Sequence, residues 1–230
     1  MSKLAKTKGT AAPAAAPAAE AAQARPARII LLRHGEKKNG KELCDVGRQR
    51  AQALADQYLG RGAPGNDAIF GRGAKPDAFF AITLHTQETA TPSAQSWGKQ
   101  LTNFFVPPDD PNEKSDLDNQ TQKAATALTS ADYAGKVVVV VWEHNHIANE
   151  KLTNTFWTLL DLGAIPNANA YKTWESANYD FFWIIDYASP QPTFTMVPQV
   201  YASAPKVPNN EWGVAVDRTK FRDFYQNCKQ

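Results

Sequence analysis

The chain has 230 residues, of which 43% are hydrophobic and 21% charged, with a formal net charge of +2. This length suits one globular domain, and the hydrophobic share excludes a disordered or collagen-like chain. No segment approaches the roughly 18 consecutive apolar residues that a membrane-spanning helix needs. The near-neutral charge gives no reason to expect nucleic-acid binding. We therefore expect neither a membrane nor a nucleic acid as a partner, and the sequence leaves the oligomeric state open.

The first 28 residues differ in composition from the rest of the chain. Residues 1–28 hold twelve alanines, three prolines and five basic residues against a single acid, Glu20. The prolines interrupt any helix, and no apolar stripe is present. We predict a disordered basic tail over 1–28, one domain over 29–230, and a cytoplasmic protein. The alternative is a secretory signal that ends near Ala22-Gln23-Ala24.

The chain has two cysteines, Cys44 and Cys228. Two cysteines are too few for a disulfide framework, and no other ligand type lies near them at metal-binding spacing. We expect two reduced thiols, and neither a metal ion nor another cofactor.

The hydrophobic pattern of the body alternates between strands and helices. Short apolar runs predict strands at 29–32, 78–83, 137–141 and 179–187. Helical spacing predicts helices at 47–59, 89–101, 121–128 and 147–162. A polar excursion covers 106–118, and the chain after residue 190 is expected to pack peripherally. This order predicts an α/β fold, a three-layer α/β/α sandwich with a mostly parallel central sheet.

The histidines lie close to the ends of predicted strands. Arg33-His34-Gly35-Glu36 follows the first strand, and Glu143-His144-Asn145-His146 follows the valine-rich strand. His85 lies two residues beyond the strand at 78–83. Because ligands bind beyond the carboxyl ends of parallel strands, all four histidines are expected at the active edge of the sheet.

This set of residues suits phosphate chemistry. An arginine can grip phosphoryl oxygens bidentately while a neighbouring histidine attacks phosphorus. A second imidazole can stabilise the charge on the transferred group.

Three segments together resemble a known family. The segment IILLRHGEKKNGKELCDVGRQRA, residues 29–51, resembles the opening of the histidine phosphatase superfamily, which has the phosphoglycerate-mutase-like fold. Cys44 stands where that family usually has a serine. The segment VVVVVWEHNHI, residues 137–147, resembles the strand that carries the family's second histidine, and Glu88-Thr89 resembles the start of its second helix.

The resemblance implies roles for individual residues. His34 is the implied nucleophile, which forms a phosphohistidine, and Arg33 and His144 complete the phosphate pocket. Glu36 and Asn145 are expected to contribute to substrate binding, with Glu36 and Glu143 orienting the histidines.

His85 stands where the family has a second phosphate-binding arginine. We expect it to be a weaker, pH-dependent substitute that binds the substrate phosphate. Arg48 or Arg72 are alternative sources of the missing guanidinium. The proton donor to the leaving group stays unassigned among the nearby acids, which are Glu88, Glu113, Asp116 and Asp118.

The predicted function is hydrolysis of a phosphomonoester, on a small molecule or a phosphoprotein, through phospho-His34. One alternative is a catalytically impaired member that only binds phosphorylated ligands. The other is a metal-dependent hydrolase that uses His144 and His146, with Glu36, Glu143 or Asp180 as further ligands.

Overall fold

The structure is a computed structural model and describes residues 25–202, 204 and 207–229. A six-stranded sheet forms the centre of this part of the chain. The strands are β1 (Arg28–Arg33), β2 (Ala78–Ala81), β3 (Leu101–Asn103), β4 (Val137–Trp142), β5 (Phe181–Asp186) and β6 (Thr193–Pro198). Their order across the sheet is β3-β2-β4-β1-β5-β6. Most of the predicted tail, residues 1–24, lies outside the described residues.

The strand pairing makes this a mixed sheet, with parallel and antiparallel pairs, in an α/β fold. Strand β4 runs parallel to both β1 and β2, and β2 runs parallel to β3. Strand β5 is antiparallel to β1 and β6 is antiparallel to β5. Arg33 at the end of β1 is the register partner of Trp142 at the end of β4. The residues that follow these two strands therefore lie side by side at one edge of the sheet.

Both faces of the sheet are buried, which explains the continuous apolar runs. In β1, Ile29 and Leu31 join one hydrophobic cluster, whereas Ile30 and Leu32 join the cluster on the opposite face. Side chains alternate between the faces of a strand, so a strand covered on both sides has no polar positions.

The helices of the described region differ in length and position from several predictions. They are α1 (Asp45–Leu54), α2 (Asn66–Phe70), α3 (Leu84–Ser96), α4 (Glu113–Leu128), α5 (His144–Ile147), α6 (Phe156–Leu159) and α7 (Arg222–Tyr225). A π-helical turn, Ala55–Leu59, continues α1. None of the helices in the described region is both long and apolar enough to cross a lipid bilayer.

The predicted helix over 147–162 is wrong. The segment forms only the short helices α5 and α6, separated by irregular chain. Thr155 caps a new helix start, because its hydroxyl accepts a hydrogen bond from the Thr158 amide at 3.2 Å. Asp161 has a φ of 52°, which ends α6 in the left-handed region. Strands β3 and β6, at the two edges of the sheet, have no counterpart among the predicted elements.

The cysteine prediction is also wrong. Cys44 and Cys228 form a disulfide across 184 residues of sequence, and both are buried. They pack with Val46 and Tyr225 in a small hydrophobic cluster apart from the sheet. The bond joins the residue before α1 to the segment after α7. No regular spacing in the sequence indicates so distant a pair.

Folded structure begins before the predicted domain boundary. The Arg25 carbonyl accepts a hydrogen bond from the Gly135 amide at 2.9 Å, and the Ala27 carbonyl accepts one from the Tyr187 amide at 2.8 Å. Residues 25–28 therefore pack with the domain.

Candidate active site

The loop after β1 packs unusually closely against the start of α1. A Cβ atom at Gly35 would lie 2.8 Å from the carbonyl oxygen of Gly47, and one at Gly47 would lie 2.2 Å from the carbonyl oxygen of Glu36. Side chains cannot be accommodated at such distances, so both positions require glycine. This close approach fixes the loop that follows His34 against the start of α1.

Helix α3 holds the same loop from the other side. The Gly35 amide donates to Oγ1 of Thr89 at 2.9 Å, and the Leu43 amide donates to Oε2 of Glu88 at 2.7 Å. Glu88, one of the candidate proton donors, thus binds the backbone of the loop.

His34 is almost completely buried, with 1% of its surface exposed. Its Nδ1 lies 2.6 Å from the Gly35 carbonyl oxygen. A carbonyl oxygen can only accept, so this contact places the proton on Nδ1. Nε2 has no hydrogen-bond partner. Burial lowers the pKa of His34 below 6.5, which favours the neutral ring with its Nε2 lone pair available.

Arg33 is oriented by neutral groups only. Its Nη1 donates to the carbonyls of Ser176 at 2.7 Å and Asn178 at 3.1 Å, and its Nη2 donates to the Tyr179 hydroxyl at 3.0 Å. The guanidinium carbon also lies 3.7 Å from the centre of the Tyr179 ring. Among the described residues, no carboxylate lies at ion-pair distance from this cation, and its buried Nε has no hydrogen-bond partner. The arrangement leaves a positive charge available to an anion.

Glu143 is the acid nearest to His34. Its Oε2 lies 3.2 Å from Nε2 of His34, although outside hydrogen-bond geometry. Lys37 Nζ donates to both carboxylate oxygens at 3.1 and 3.2 Å, and the Thr83 hydroxyl donates to Oε1 at 2.8 Å. Burial alone would raise the pKa of Glu143, but the charge of Lys37 and the hydrogen bond from Thr83 hold it well below 4.5. Glu143 is therefore ionised in the free protein.

Two further histidines surround the His34 ring. Burial, together with the charge of Arg33, lowers the pKa of His144 to about 3. Burial and the charge of Lys37 lower the pKa of His85 to about 4. Both rings are consequently neutral at pH 7.

Polar atoms without partners concentrate at this site. Nine buried side-chain nitrogen or oxygen atoms in the described region have no hydrogen-bond partner. Four of the nine belong to Arg33, His34, His85 and His144. Buried polar groups are normally paired, so such a cluster indicates a place where a polar ligand supplies the missing bonds.

A cavity of about 440 Å³ opens at these residues, a size within the usual range for small-ligand sites. Its walls come from the two strand-end loops, from the segment around Tyr179 and from residues 215–229. The charged and imidazole side chains in its lining are Arg33, His34, Lys37, Glu143, His144, Arg218 and Lys229.

The structure brings together three of the predicted site residues, Arg33, His34 and His144, in the lining of this cavity. His85 lies beside them, with its ring centre 5.7 Å from that of His34, but it lines a neighbouring cleft. Its Nε2 lies 2.7 Å from the Asn39 carbonyl oxygen and so carries the proton.

Glu36 and Asn145 do not reach the cavity. Glu36 is buried in a two-bond ion pair with Arg50, at 3.0 and 2.6 Å, and also accepts from the Tyr225 hydroxyl. Asn145 is exposed and accepts a hydrogen bond from Asn149. Glu36 therefore supports the loop and Asn145 faces solvent, and neither lines the cavity; their roles in substrate binding stay predictions.

The two histidines of the metal-dependent alternative, His144 and His146, point in different directions. They lie on the helical turn α5, where residues two apart point about 200° apart. His144 faces the cavity, whereas His146 Nε2 lies 3.1 Å from Asp118. Within the described ranges, no three histidine, cysteine or acidic side chains are placed to hold a metal ion.

The two arginines proposed as substitutes also lie away from the cavity lining. Arg48 donates to the Leu43 carbonyl and pairs with Asp45, and Arg72 is exposed.

The sequence prediction missed several lining residues. Lys37 lies only three positions after His34, and Tyr179 is the first residue of a predicted strand, so both had a positional signal. Arg218 and Lys229 come from a segment with no recognisable motif and reach the cavity only through tertiary structure.

Comparison of the chain with models of known protein families finds no match, and comparison with curated proteins finds none either.

Proposed function

We propose that this protein is a phosphomonoester phosphatase that acts through a phosphohistidine on His34. The observation that carries the proposal is the state of the His34 ring. Its Nδ1–H is fixed by the Gly35 carbonyl, its Nε2 makes no hydrogen bond, and His34 lines a cavity together with Arg33. A neutral imidazole oriented in this way is a competent nucleophile towards phosphorus.

In the first step, Nε2 of His34 attacks the phosphorus atom, and the bond between phosphorus and the leaving oxygen breaks. Arg33 binds phosphoryl oxygens through its Nε and the remaining Nη hydrogens. His144, neutral in the free protein, lies at the same cavity wall and can donate to a third phosphoryl oxygen. Phosphoryl transfer depends mainly on such positioning and charge stabilisation.

Glu143 carries the proton in this mechanism. It is ionised in the free protein, but a phosphate dianion beside it raises its pKa by like-charge repulsion. Glu143 therefore takes up a proton when the substrate binds and delivers it to the leaving oxygen. In the second step the ionised carboxylate removes a proton from the water that attacks phospho-His34. The products are an alcohol, inorganic phosphate and free His34.

The proposal includes membership of the histidine phosphatase superfamily and its phosphoglycerate-mutase-like fold. It is supported by the adjacent parallel strands β1 and β4, which carry Arg33-His34 and His144 at neighbouring ends. It is also supported by the close packing of Gly35 against Gly47, which accounts for two of the three glycines in the resembling segment.

The direct test is hydrolysis of p-nitrophenyl phosphate by the full chain, by a His34→Ala variant and by a His146→Gln control. The control removes a buried imidazole that does not line the cavity. We expect activity in the parent and the control, inhibition by vanadate, and loss of activity in His34→Ala. Retained activity in His34→Ala would contradict the proposal.

A second candidate is a protein that binds phosphorylated ligands without turnover. The observation in its favour is His85 at the position where the resembling family has a phosphate-binding arginine. Binding of inorganic phosphate without hydrolysis of any phosphomonoester would support this candidate.

The metal-dependent alternative is less well supported, because His144 and His146 diverge. The same assay in the presence of EDTA tests it. Activity that EDTA abolishes and zinc restores would favour it over the phosphohistidine mechanism.

The disulfide is relevant to the cellular compartment of the protein. Disulfides persist mainly in oxidising compartments and are rare in the cytosol. The pairing of Cys44 with Cys228 therefore favours an oxidising compartment over the cytoplasmic location predicted from the sequence. Fractionation of the native host with thiol trapping tests this point.

A further inference from the structure

The outer part of the cavity is built by a segment that the proposed mechanism does not use. Residues 216–229, here called the arm, contain the short helix α7. Four of its side chains, those of Val216, Arg218, Tyr225 and Lys229, line the cavity.

The arm is fastened to the loop that carries the nucleophile. Cys228 is disulfide-bonded to Cys44, and the Tyr225 hydroxyl donates to Glu36 Oε1 at 3.1 Å. The Lys229 amide donates to the Lys37 carbonyl at 2.7 Å. All of these bonds reach the stretch between β1 and α1. The arm therefore has a defined position relative to His34.

The arm contributes positive charge that no acid neutralises. Within the described part of the chain, neither Arg218 nor Lys229 has a carboxylate at ion-pair distance, whereas Lys37 is paired with Glu143. The Arg218 guanidinium contacts only the Lys229 carbonyl at 3.4 Å and the face of the Tyr225 ring at 5.0 Å. Because both Nη atoms reach the same carbonyl, the other N–H groups of the guanidinium remain available to a carboxylate or a phosphate.

The charge balance of the whole cavity also indicates unpaired positive charge near the arm. Four cations line it, and Glu143 is the single acid in its lining. One phosphoryl group held by Arg33 and His34 leaves Arg218 and Lys229 without a counter-charge. The volume of about 440 Å³ exceeds what one phosphoryl group fills.

We propose that Arg218 and Lys229 form a second anion subsite, so that the preferred substrate is a phosphomonoester carrying another anionic group, a carboxylate or a second phosphate. This inference rests on the proposed function for the identity of the first subsite. The phosphoryl group to be transferred binds at Arg33 and His34, and the second anion binds at the arm.

Binding of non-hydrolysable ligands tests the subsite without requiring turnover. The probes are phenylphosphonate, para-carboxyphenylphosphonate and para-phenylenebisphosphonate, which share one ring and differ in the second anion. Their dissociation constants are measured by calorimetry for the full chain, for Arg218→Gln, for Lys229→Gln and for Lys220→Gln. Lys220 is the matched control, because it lies on the same arm, pairs with Asp217 and does not line the cavity.

We expect at least one of the two probes that carry a second anionic group to bind about tenfold or more tightly than phenylphosphonate. One charge-assisted hydrogen bond provides a gain of this size. The preferred probe identifies the second group as a carboxylate or a phosphate. Arg218→Gln and Lys229→Gln should each lose most of this preference, and Lys220→Gln should keep it. Equal affinity for all three probes, or a preference that survives in both arm variants, would overturn the subsite.

The outcomes separate this inference from the proposed function. If all probes bind equally and phosphomonoesters are hydrolysed, only the subsite is wrong. If the preference is present and depends on the arm but no phosphomonoester is hydrolysed, the subsite stands and the phosphatase function fails. If no probe binds and no phosphomonoester is hydrolysed, both are contradicted; if no probe binds but phosphomonoesters are hydrolysed, only the subsite fails.

Discussion

Oε2 of Glu143 lies 3.2 Å from Nε2 of His34, so the nearest acid in the site faces the atom proposed to attack phosphorus. The register of β1 and β4 produces this relationship, because Arg33 pairs with Trp142 and each next residue follows at the same edge. Lys37 and Thr83 hold the carboxylate at this position. Glu143 is therefore placed to serve the leaving oxygen and, later, the attacking water.

Glu143→Gln tests this role through the leaving group. An alkyl phosphate leaves as a strongly basic alkoxide and needs a proton, whereas nitrophenolate leaves readily without one. We expect kcat for an alkyl phosphate to fall on the order of 10²-fold or more in the variant. The loss with p-nitrophenyl phosphate should be much smaller. Glu42→Gln, at an acid whose side chain is 45% exposed and lies outside the cavity lining, is the control and should change neither rate. Equal losses on both substrates would argue against proton transfer by Glu143.

The pH profile follows from the lowered pKa of His34. The nucleophile must be neutral, and burial moves its protonation below 6.5. The acid limb of the kcat/KM profile for p-nitrophenyl phosphate should therefore lie below the ordinary histidine value of about 6.5. An acid limb at or above the ordinary histidine value would contradict this state of the ring.

Lys37→Gln should move the acid limb of that profile. The charge of Lys37 lowers the pKa values of both His34 and Glu143, so its removal raises both. We expect the acid limb of the Lys37→Gln profile to shift to higher pH. Lys38→Gln is the control and should leave the limb in place, because Lys38 pairs with Glu42. A profile that stays in place would show that Lys37 has no influence on these groups.

His85 is expected to strengthen phosphate binding at low pH. Its pKa is lowered to about 4 in the free protein, and a bound anion raises it, so protonation adds a cation beside the phosphate only in acid. The affinity for inorganic phosphate should rise between about pH 7 and about pH 5. That rise should be smaller in His85→Gln, and His85→Arg should bind phosphate more tightly than the parent at pH 7. If His85→Arg improves neither affinity nor turnover, His85 does not replace an arginine.

The disulfide should contribute to both stability and the position of the arm. Replacing Cys44 and Cys228 together with serine should lower the free energy of unfolding by about 2–4 kcal/mol, as typical disulfides do. Urea denaturation measures the loss, and reduction of the parent protein with dithiothreitol should reproduce it. Two titratable thiols in the native, unreduced protein would contradict the bond.

The sequence predicted those features that depend on local pattern. Strands β1 and β4 were predicted within one or two residues, because strands buried on both faces read as unbroken apolar runs. The same two strands located Arg33, His34 and His144 correctly at one edge of the sheet. Their roles in catalysis remain predictions.

Features that depend on long-range packing were not predicted. The link from Cys44 to Cys228 spans 184 residues, and the arm reaches the cavity only through that link and the contacts near it. Glu36 was expected at the substrate because it follows His34, but the buried charge of Arg50 draws it into an ion pair instead. Neither partner is indicated by sequence spacing.

The most direct test of the account is detection of the phosphorylated protein. The full chain is mixed briefly with p-nitrophenyl phosphate, quenched in alkali to preserve phosphohistidine, and analysed by mass spectrometry of the peptide that contains His34. We predict one added phosphoryl group on His34, formed as fast as nitrophenolate is released, and none in His34→Ala. Turnover of the substrate with His34 unmodified at every time point would contradict the central claim.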